Sequence, residues 1–259
     1  MDNNSLQELE KYFTDKTINN KTYIPTNIGM LDRAIDGYYE GTIWVIGGWP
    51  GAGKTTFIIN LISKLRGQRI SVFDTETSKY RYLEKLLCCL TDISDKSIRT
   101  NDEQAIKLVK SNLHILKDYN LNIIDKSSPT LKDIEDELKI NKPRILIIDY
   151  FQNLDIPGGT NRYGEFTNLA RNIEKLTKKY RCTTLLASQL KKPLEINLRP
   201  TKFDLKETGK LGEMARVIVL LSHVIEDEDG ELFIDIAKAR DGSIGWFKVK
   251  GNWESNRIL

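Results

Sequence analysis

Gly48-Trp49-Pro50-Gly51-Ala52-Gly53-Lys54-Thr55, lying between Ile43-Trp44-Val45-Ile46 and Phe57-Ile58-Ile59-Asn60-Leu61-Ile62, is the stretch that decides the fold. Its glycines let the backbone curl so that its N–H groups face an anion, and the helix that follows adds its positive end. Lys54 is then within reach of the β and γ phosphates of a nucleoside triphosphate, and the Thr55 hydroxyl, followed by Thr56, is placed for magnesium. A chance Gly-x4-Gly-Lys-[Ser/Thr] match in a chain this long arises about once in a hundred at average residue usage. The flanking strand and helix patterns make chance less frequent still. The stretch therefore predicts a phosphate-binding loop, with Gly48, Gly51, Gly53, Lys54, Thr55 and Thr56 as nucleotide contacts.

Outward from this loop, strand and helix patterns alternate. Strands are predicted near 42–47, 69–73, 121–125, 145–149, 182–187 and 216–221, and helices near 54–66, 78–91, 102–117, 130–139 and 164–180. Apolar runs such as Ile145-Leu146-Ile147-Ile148 and Thr184-Leu185-Leu186-Ala187 do not alternate with polar residues. Parallel strands covered by helices on both faces read this way. The fold class is α/β, a P-loop NTPase with a mainly parallel central sheet flanked by helices.

The carboxyl end departs from this pattern. Leu232 to Arg240, then Asp241-Gly242, then Ile244 to Lys250 reads as an antiparallel hairpin with a tight turn at its tip. At the other end, residues 1–22 form a polar arm with one short helical pattern, Leu6, Leu9, Tyr12 and Phe13, expected to stand apart from the 23–259 domain.

The whole chain of 259 residues suits one such domain. With 39 basic against 36 acidic residues, the net charge of +3 does not by itself argue for nucleic acid. Any polyanion site must come from local clustering. Three cysteines, Cys88, Cys89 and Cys182, lack metal-ligand spacing and are expected as buried thiols. No apolar run is long enough to cross a bilayer and Met1-Asp2-Asn3-Asn4 does not resemble a secretory leader, so a cytoplasmic protein is expected.

Candidate chemistry gathers at predicted strand ends, where open α/β sheets place ligands. Asp149 closes the Ile145–Ile148 run and is placed to hold magnesium directly or through water; a solvated strand-end acid is the alternative. Glu76 follows Ile70-Ser71-Val72-Phe73 and is placed to orient or deprotonate water beside the γ phosphate, or else to cap a helix. Asp74, two residues earlier, is expected on the same side. Gln189, after Thr184–Ala187, offers a neutral amide that senses the γ phosphate, or simply ends a strand.

Two loops carry charge. Lys191 to Lys210 holds six basic and three acidic residues with prolines at 193 and 200, and Pro157 to Tyr163 carries Arg162. Solvated surface and phosphate contact are equal readings for each. Lys238 and Arg240 alternate along the first hairpin strand and so share a side. Such a tip suits a guanidinium set against a neighbouring subunit's γ phosphate, or a charged edge strand kept soluble.

Taken in order, these motifs resemble the RecA-like motor domain of the DnaB-type replicative DNA helicases. The landmarks are Thr26 to Asp32, Gly48 to Thr55, Phe73-Asp74-Thr75-Glu76, Ile147 to Gln152, Ser188-Gln189-Leu190, Asp204 to Gly209 and Ala237 to Gly245. The resemblance implies ATP and Mg2+ at Lys54, Thr55 and Asp149, water activation by Glu76 and phosphate sensing by Gln189. It also implies action of Lys238 and Arg240 on the adjacent subunit, and backbone contact to single-stranded DNA by Lys206, Glu207 and Gly209. Arg162 is added as a DNA contact from its loop. The implied protein is a ring-forming, hexameric ATPase moving 5′ to 3′ on single-stranded DNA in replication, with a primase or helicase loader as further partners.

Two departures stand out. Trp49 takes the place of the family's usual arginine, and Gly212-Glu213-Met214-Ala215-Arg216 takes the place of its acidic stretch. No counterpart of the family's amino-terminal domain is recognised before residue 23. Residues 6–14 are expected as a remnant of the linker helix in a stand-alone plasmid, phage or mobile-element form. A RecA-like recombinase or regulatory ATPase, and a helicase-binding loading or assembly factor, are the alternative readings.

Overall fold

A computed structural model of the chain describes residues 3–18, 23–156, 161–191, 199–206, 209–223 and 231–258. Helix α1 (Asn3–Ile18) presents Leu6, Leu9 and Phe13, each roughly half exposed. Next, β1 (Tyr23–Ile24) and β2 (Tyr38–Tyr39) pair antiparallel around α2 (Gly29–Ile35). The main body then runs β3 (Ile43–Gly48), α3 (Lys54–Ser63), β4 (Arg69–Asp74), α4 (Lys79–Thr91), α5 (Asp95–Arg99), α6 (Glu103–Asn112), β5 (Asn120–Asp125) and α7 (Leu131–Ile140). It closes with β6 (Ile145–Asp149), α8 (Arg162–Tyr180), β7 (Thr183–Gln189), α9 (Lys210–Met214), β8 (Val217–His223), β9 (Glu231–Ala239) and β10 (Gly245–Lys250).

Eight strands form one sheet in the order β10-β9-β8-β3-β7-β6-β4-β5. The six from β8 to β5 are parallel, while β9 and β10 add an antiparallel margin. Strand alternation divides the core in two. Trp44, Ile46, Ile145 and Ile147 face the cluster that Phe57, Ile58, Leu61 and Tyr82 of α3 and α4 complete. Ile43, Val45, Leu146 and Ile148 face the other, filled by Ile134, Phe166, Ala170 and Ile173 of α7 and α8. Every residue of β3 and β6 is buried, which is why these strands read as unbroken apolar runs.

Register then aligns the strand ends. Gly48 pairs with both Gln189 and Leu221, and Asp74 pairs with both Asp149 and Asp125. Four residues singled out from sequence thus lie along one carboxyl edge of the sheet.

Two expected elements differ. The helix expected over 102–117 ends at Asn112 and passes into a tighter 3-10 turn, Leu113–Asp118, with the separate α5 before it. Asn101, at a left-handed φ of 57°, parts α5 from α6, and Asp102 caps α6 by accepting from the Ala105 N–H. The tight turn expected at Asp241-Gly242 is not formed. Gly245 pairs with Ile236, which leaves a long connection, while β9 stays on β8 as far as Ala239 opposite Val217. The connection docks on α2 instead: the Ser243 N–H donates to the Ala34 carbonyl at 2.8 Å. A Cβ on Gly242 would lie 2.1 Å from that same oxygen, so only glycine fits there. The turn expected over Asp227–Gly230 falls outside the described residues.

Candidate active site

The phosphate loop takes its shape from three glycines. Gly51 and Gly53 adopt φ of 78° and 83°, and a Cβ on Gly48 would crowd Ala52 and Lys54 at 3.1 Å. Lys54 opens α3 and folds back, donating from Nζ to the Gly48 carbonyl at 3.0 Å and the Trp49 carbonyl at 3.1 Å. Burial lowers its pKa, against the opposing pull of Asp149 and Glu76.

Thr55 Oγ1 donates to Asp149 Oδ2 at 2.8 Å, joining the two expected magnesium ligands across β3 and β6. Asp149 is buried, and desolvation raises its pKa to about 6; the Thr55 bond and Lys54 oppose this, while Asp74 and Glu76 add to it. A buried carboxylate so disfavoured in its charged form, beside a hydroxyl, is a hard-oxygen pair suited to a divalent cation.

Glu76 is exposed beside this pair. The capping role left open for it belongs to Ser78, whose hydroxyl accepts from the Arg81 N–H at the start of α4. Asp74, expected on the same side, is near enough to raise the Asp149 pKa and is also bonded to its own loop. It accepts from the N–H groups of Glu76 and Thr77 at 3.1 Å and from the Thr77 hydroxyl. Thr75 bonds the Asp149 carbonyl through its N–H at 2.9 Å and its hydroxyl at 3.0 Å. Together these contacts fix where Glu76 emerges relative to Asp149.

Gln189 stands opposite Gly48, its N–H donating to Gln152 Oε1 at 3.2 Å. Its carbonyl accepts from the Lys206 N–H at 3.1 Å, and Leu190 bridges Leu205. The charged segment 191–206 thus leaves and returns at the end of β7. Trp49 adds a second tie, donating from Nε1 to the Lys191 carbonyl at 2.8 Å. Gly209 precedes α9, near the Tyr163 hydroxyl. Glu207 lies outside the described residues, as do 157–160 and 192–198. Arg162 opens α8 with its guanidinium over the Phe166 ring at 5.3 Å.

Lys238 and Arg240 do share a side. Lys238 Nζ donates to the Gly212 and Glu213 carbonyls at 2.7 and 3.0 Å, and Arg240 donates to the Glu213 carbonyl at 3.0 Å. β10 pairs β9 only as far as Ile236, so Lys238 stands where β9 is paired by β8 alone, and Arg240 stands just past the end of the strand. They do not lie near the phosphate loop. The Arg240 N–H bonds the Arg216 carbonyl, and the Arg216 N–H bonds the carbonyl of Ile43, the first residue of β3. Arg240 therefore lies at the amino edge of the parallel strands. Five residues of rise along β3 and two strand spacings across the sheet put its backbone about 19 Å from Gly48, well beyond an arginine side chain.

Sequence reasoning overlooked the end of the chain. A Cβ on Gly53 would be 3.5 Å from the Trp253 ring, which packs at 5.0 Å from the His223 ring. Buried Asn60 of α3 holds this segment, donating to the Asn256 carbonyl at 2.7 Å and accepting from the Ile258 N–H at 3.0 Å. The one signal in the sequence was a lone tryptophan in a polar tail.

A family model for the DnaB-like helicase C-terminal domain matches residues 23–258. The chain is 27% identical over 270 residues to the replicative DNA helicase DnaB of Buchnera aphidicola subsp. Baizongia pistaciae, covering 96% of this chain and 58% of that protein. It is 24% identical to the Geobacillus stearothermophilus replicative helicase DnaB, covering 92% of this chain and 56% of that protein. It thus spans a little over half the length of the curated relatives it matches. Among solved structures, an isolated ATPase domain superposes with a TM-score of 0.88 at 22% identity, covering 100% of this chain and 99% of that one. A DnaB-like replicative helicase, described with its interactions with primase, superposes at 0.85 and 21%, covering 98% and 66%. The fold is the RecA-like one expected.

Proposed function

The chain belongs to the DnaB-like helicase C-terminal domain family, and from that we propose that it is the ATP-hydrolysing motor of a ring-forming, hexameric helicase or translocase acting on single-stranded DNA in replication. The observation that carries this reading is the separation of Arg240 from the phosphate loop across the sheet. A cation set so far from its own nucleotide is useful to a neighbour's. In a ring, the amino edge of one subunit meets the carboxyl edge of the next, and each site draws residues from two chains.

Within one subunit, Lys54 exchanges its two loop carbonyls for β and γ phosphate oxygens. Glu76, held in place by Asp74 and Thr75, orients the attacking water and takes up its proton at the carboxylate. Thr55 and Asp149 would hold magnesium, which when bound supplies positive charge to the phosphate oxygens. Trp253 and His223 offer an aromatic wall beside Gly53 for the base. Arg240, with Lys238, stabilises charge on the γ phosphate of the adjacent subunit. Lys206 and Gly209, with Arg162, contact DNA phosphates without regard to sequence.

The test is mass in solution with and without nucleotide and single-stranded DNA, alongside ATP turnover. Assembly into a closed multi-subunit species and turnover that rises with DNA are expected. A monomer whose turnover ignores DNA refutes the reading.

A further inference from the structure

Between the start of α8, the short turn Lys202–Asp204 and α9 lies a cleft of about 770 Å³. Its wall holds Arg162, Lys191, Lys202 and Lys238 against one acid, Glu213. The field is cationic enough that repulsion from Arg240 and Lys202 adds to burial in lowering the Lys238 pKa. Two aromatic rings line the same cleft and stay open to solvent: Phe203 is 78% exposed and Tyr163 62%.

Single exposed aromatics are ordinary, but here two line one cleft and are set among cations. A purely phosphate-binding groove has no use for them. Aromatic faces interleaved with basic side chains are the arrangement that seats bases of a single strand: rings stack on the bases while cations follow the phosphates. Both rings also lie against the basic segment. The Tyr163 hydroxyl is 3.7 Å from where a Cβ of Gly209 would stand, and Lys191 donates to the Phe203 carbonyl at 3.4 Å.

We propose that this cleft seats one nucleobase of single-stranded DNA against Phe203 and Tyr163, with Arg162 and Lys202 holding the flanking phosphates. The site rests on the single-strand-binding reading above and adds base contact to a backbone-only grip. Stacking of this kind tolerates any base, so it strengthens the grip without imposing a sequence preference.

The experiment measures binding of the full chain, by fluorescence anisotropy across a salt series, to an oligothymidylate and to an abasic strand of equal length. Phe203→Ala and Tyr163→Ala should each weaken binding to the oligothymidylate about 10-fold, leaving the abasic strand and the salt slope unchanged. Phe203→Tyr should keep wild-type affinity, and because Phe203 is so exposed its truncation removes little packing. Equal loss on both strands, or loss on neither, overturns the stacking site while leaving single-strand binding intact. So does a change in assembly mass with no change in DNA affinity, which would make the cleft a subunit contact. A wild-type chain that binds neither strand overturns the translocase reading itself, and the stacking site with it.

Discussion

Arg240→Ala removes a guanidinium whose backbone lies about 19 Å from its own phosphate loop, so its effect separates a site within one chain from a site between chains. On the shared-site reading, nucleotide binding survives, because Lys54, Thr55 and Asp149 are untouched, while turnover falls by about 10³-fold or more, as for other arginine fingers. Glu76→Ala should be equally inactive. Mixed in equal amounts, the two variants make rings in which an interface works only where an intact Glu76 meets an intact Arg240. Random assembly gives that arrangement at about one interface in four. Recovered turnover should therefore reach about a quarter of wild type if the interfaces fire independently. If Arg240 acted within its own chain, every subunit in the mixture would lack one of the two groups, and recovery would be nil. The assay is steady-state ATP turnover of the variants alone and premixed, with single-stranded DNA present. A mixture no more active than its components refutes the inter-subunit role.

Lys206→Ala should weaken single-strand binding for all sequences alike and lower the slope of log affinity against log salt by about 0.7; an unchanged slope moves the phosphate contact elsewhere. Gly242→Val puts a Cβ where the Ala34 carbonyl stands, so the Arg240 connection must shift, and turnover should fall about 100-fold while nucleotide affinity holds, as measured by titration. Asn60→Ala strips partners from the Ile258 N–H and the Asn256 carbonyl. It should cost about 2–5 kcal/mol in urea unfolding and raise the nucleotide KM as Trp253 comes away from Gly53; an unmoved midpoint contradicts the packing argument. Asp133 completes the capping box of α7, and bonds from Lys126 and Thr130 hold its pKa at about 2, below the ordinary 3.8. A depressed carboxyl stabilises the fold above its unfolded pKa and loses that contribution as pH falls through the folded one. Asp133→Asn, at a partly exposed site, should therefore cost about 1 kcal/mol at pH 7, and the difference from wild type should shrink between pH 4 and 2 in acid unfolding; a constant gap rejects the assignment.

The elements legible in the sequence were those under two agreeing constraints. β3 and β6 are buried on both faces and so read as unbroken apolar runs, and Gly48 to Thr55 needs its residue types for both backbone shape and phosphate chemistry. The strand ends followed, because register in a parallel sheet carries Asp74, Asp149 and Gln189 to one edge once the strands are known. Local turn chemistry misled where a tertiary contact outweighed it. Asp241-Gly242 reads as a hairpin turn, yet the glycine is there for its close approach to Ala34, which no local window reveals. Asp74 and Glu76 look interchangeable as neighbouring acids. Only the hydrogen bonds from Thr77 and the Glu76 N–H show that one is spent on the loop and the other is left exposed. Asn60 meets Asn256 and Ile258, and Gly53 meets Trp253, across about two hundred residues of chain, pairings with no periodic signature.

On the proposed motor reading, the two ties at the base of the charged segment couple hydrolysis to DNA. The outgoing limb is held by Trp49 from within the phosphate loop, through the Lys191 carbonyl. The returning limb is held by Gln189, through the Lys206 N–H. Between them the Leu190–Leu205 bridge and the Lys191 N–H to Asp204 carbonyl bond, at 2.8 Å, lock the limbs together. A segment fastened on one limb only would fray when its anchor moved, and the displacement would be lost near the base. On the motor reading, the two limbs, fastened and cross-linked at their base, carry a shift of Gln189 to Lys191 and Lys206 together. The Trp49 tie depends on an indole N–H that no aliphatic side chain supplies at that position. Trp49→Phe keeps the ring and removes the N–H, so it releases this grip on the segment, and its effect should fall on DNA-stimulated turnover more than on turnover without DNA.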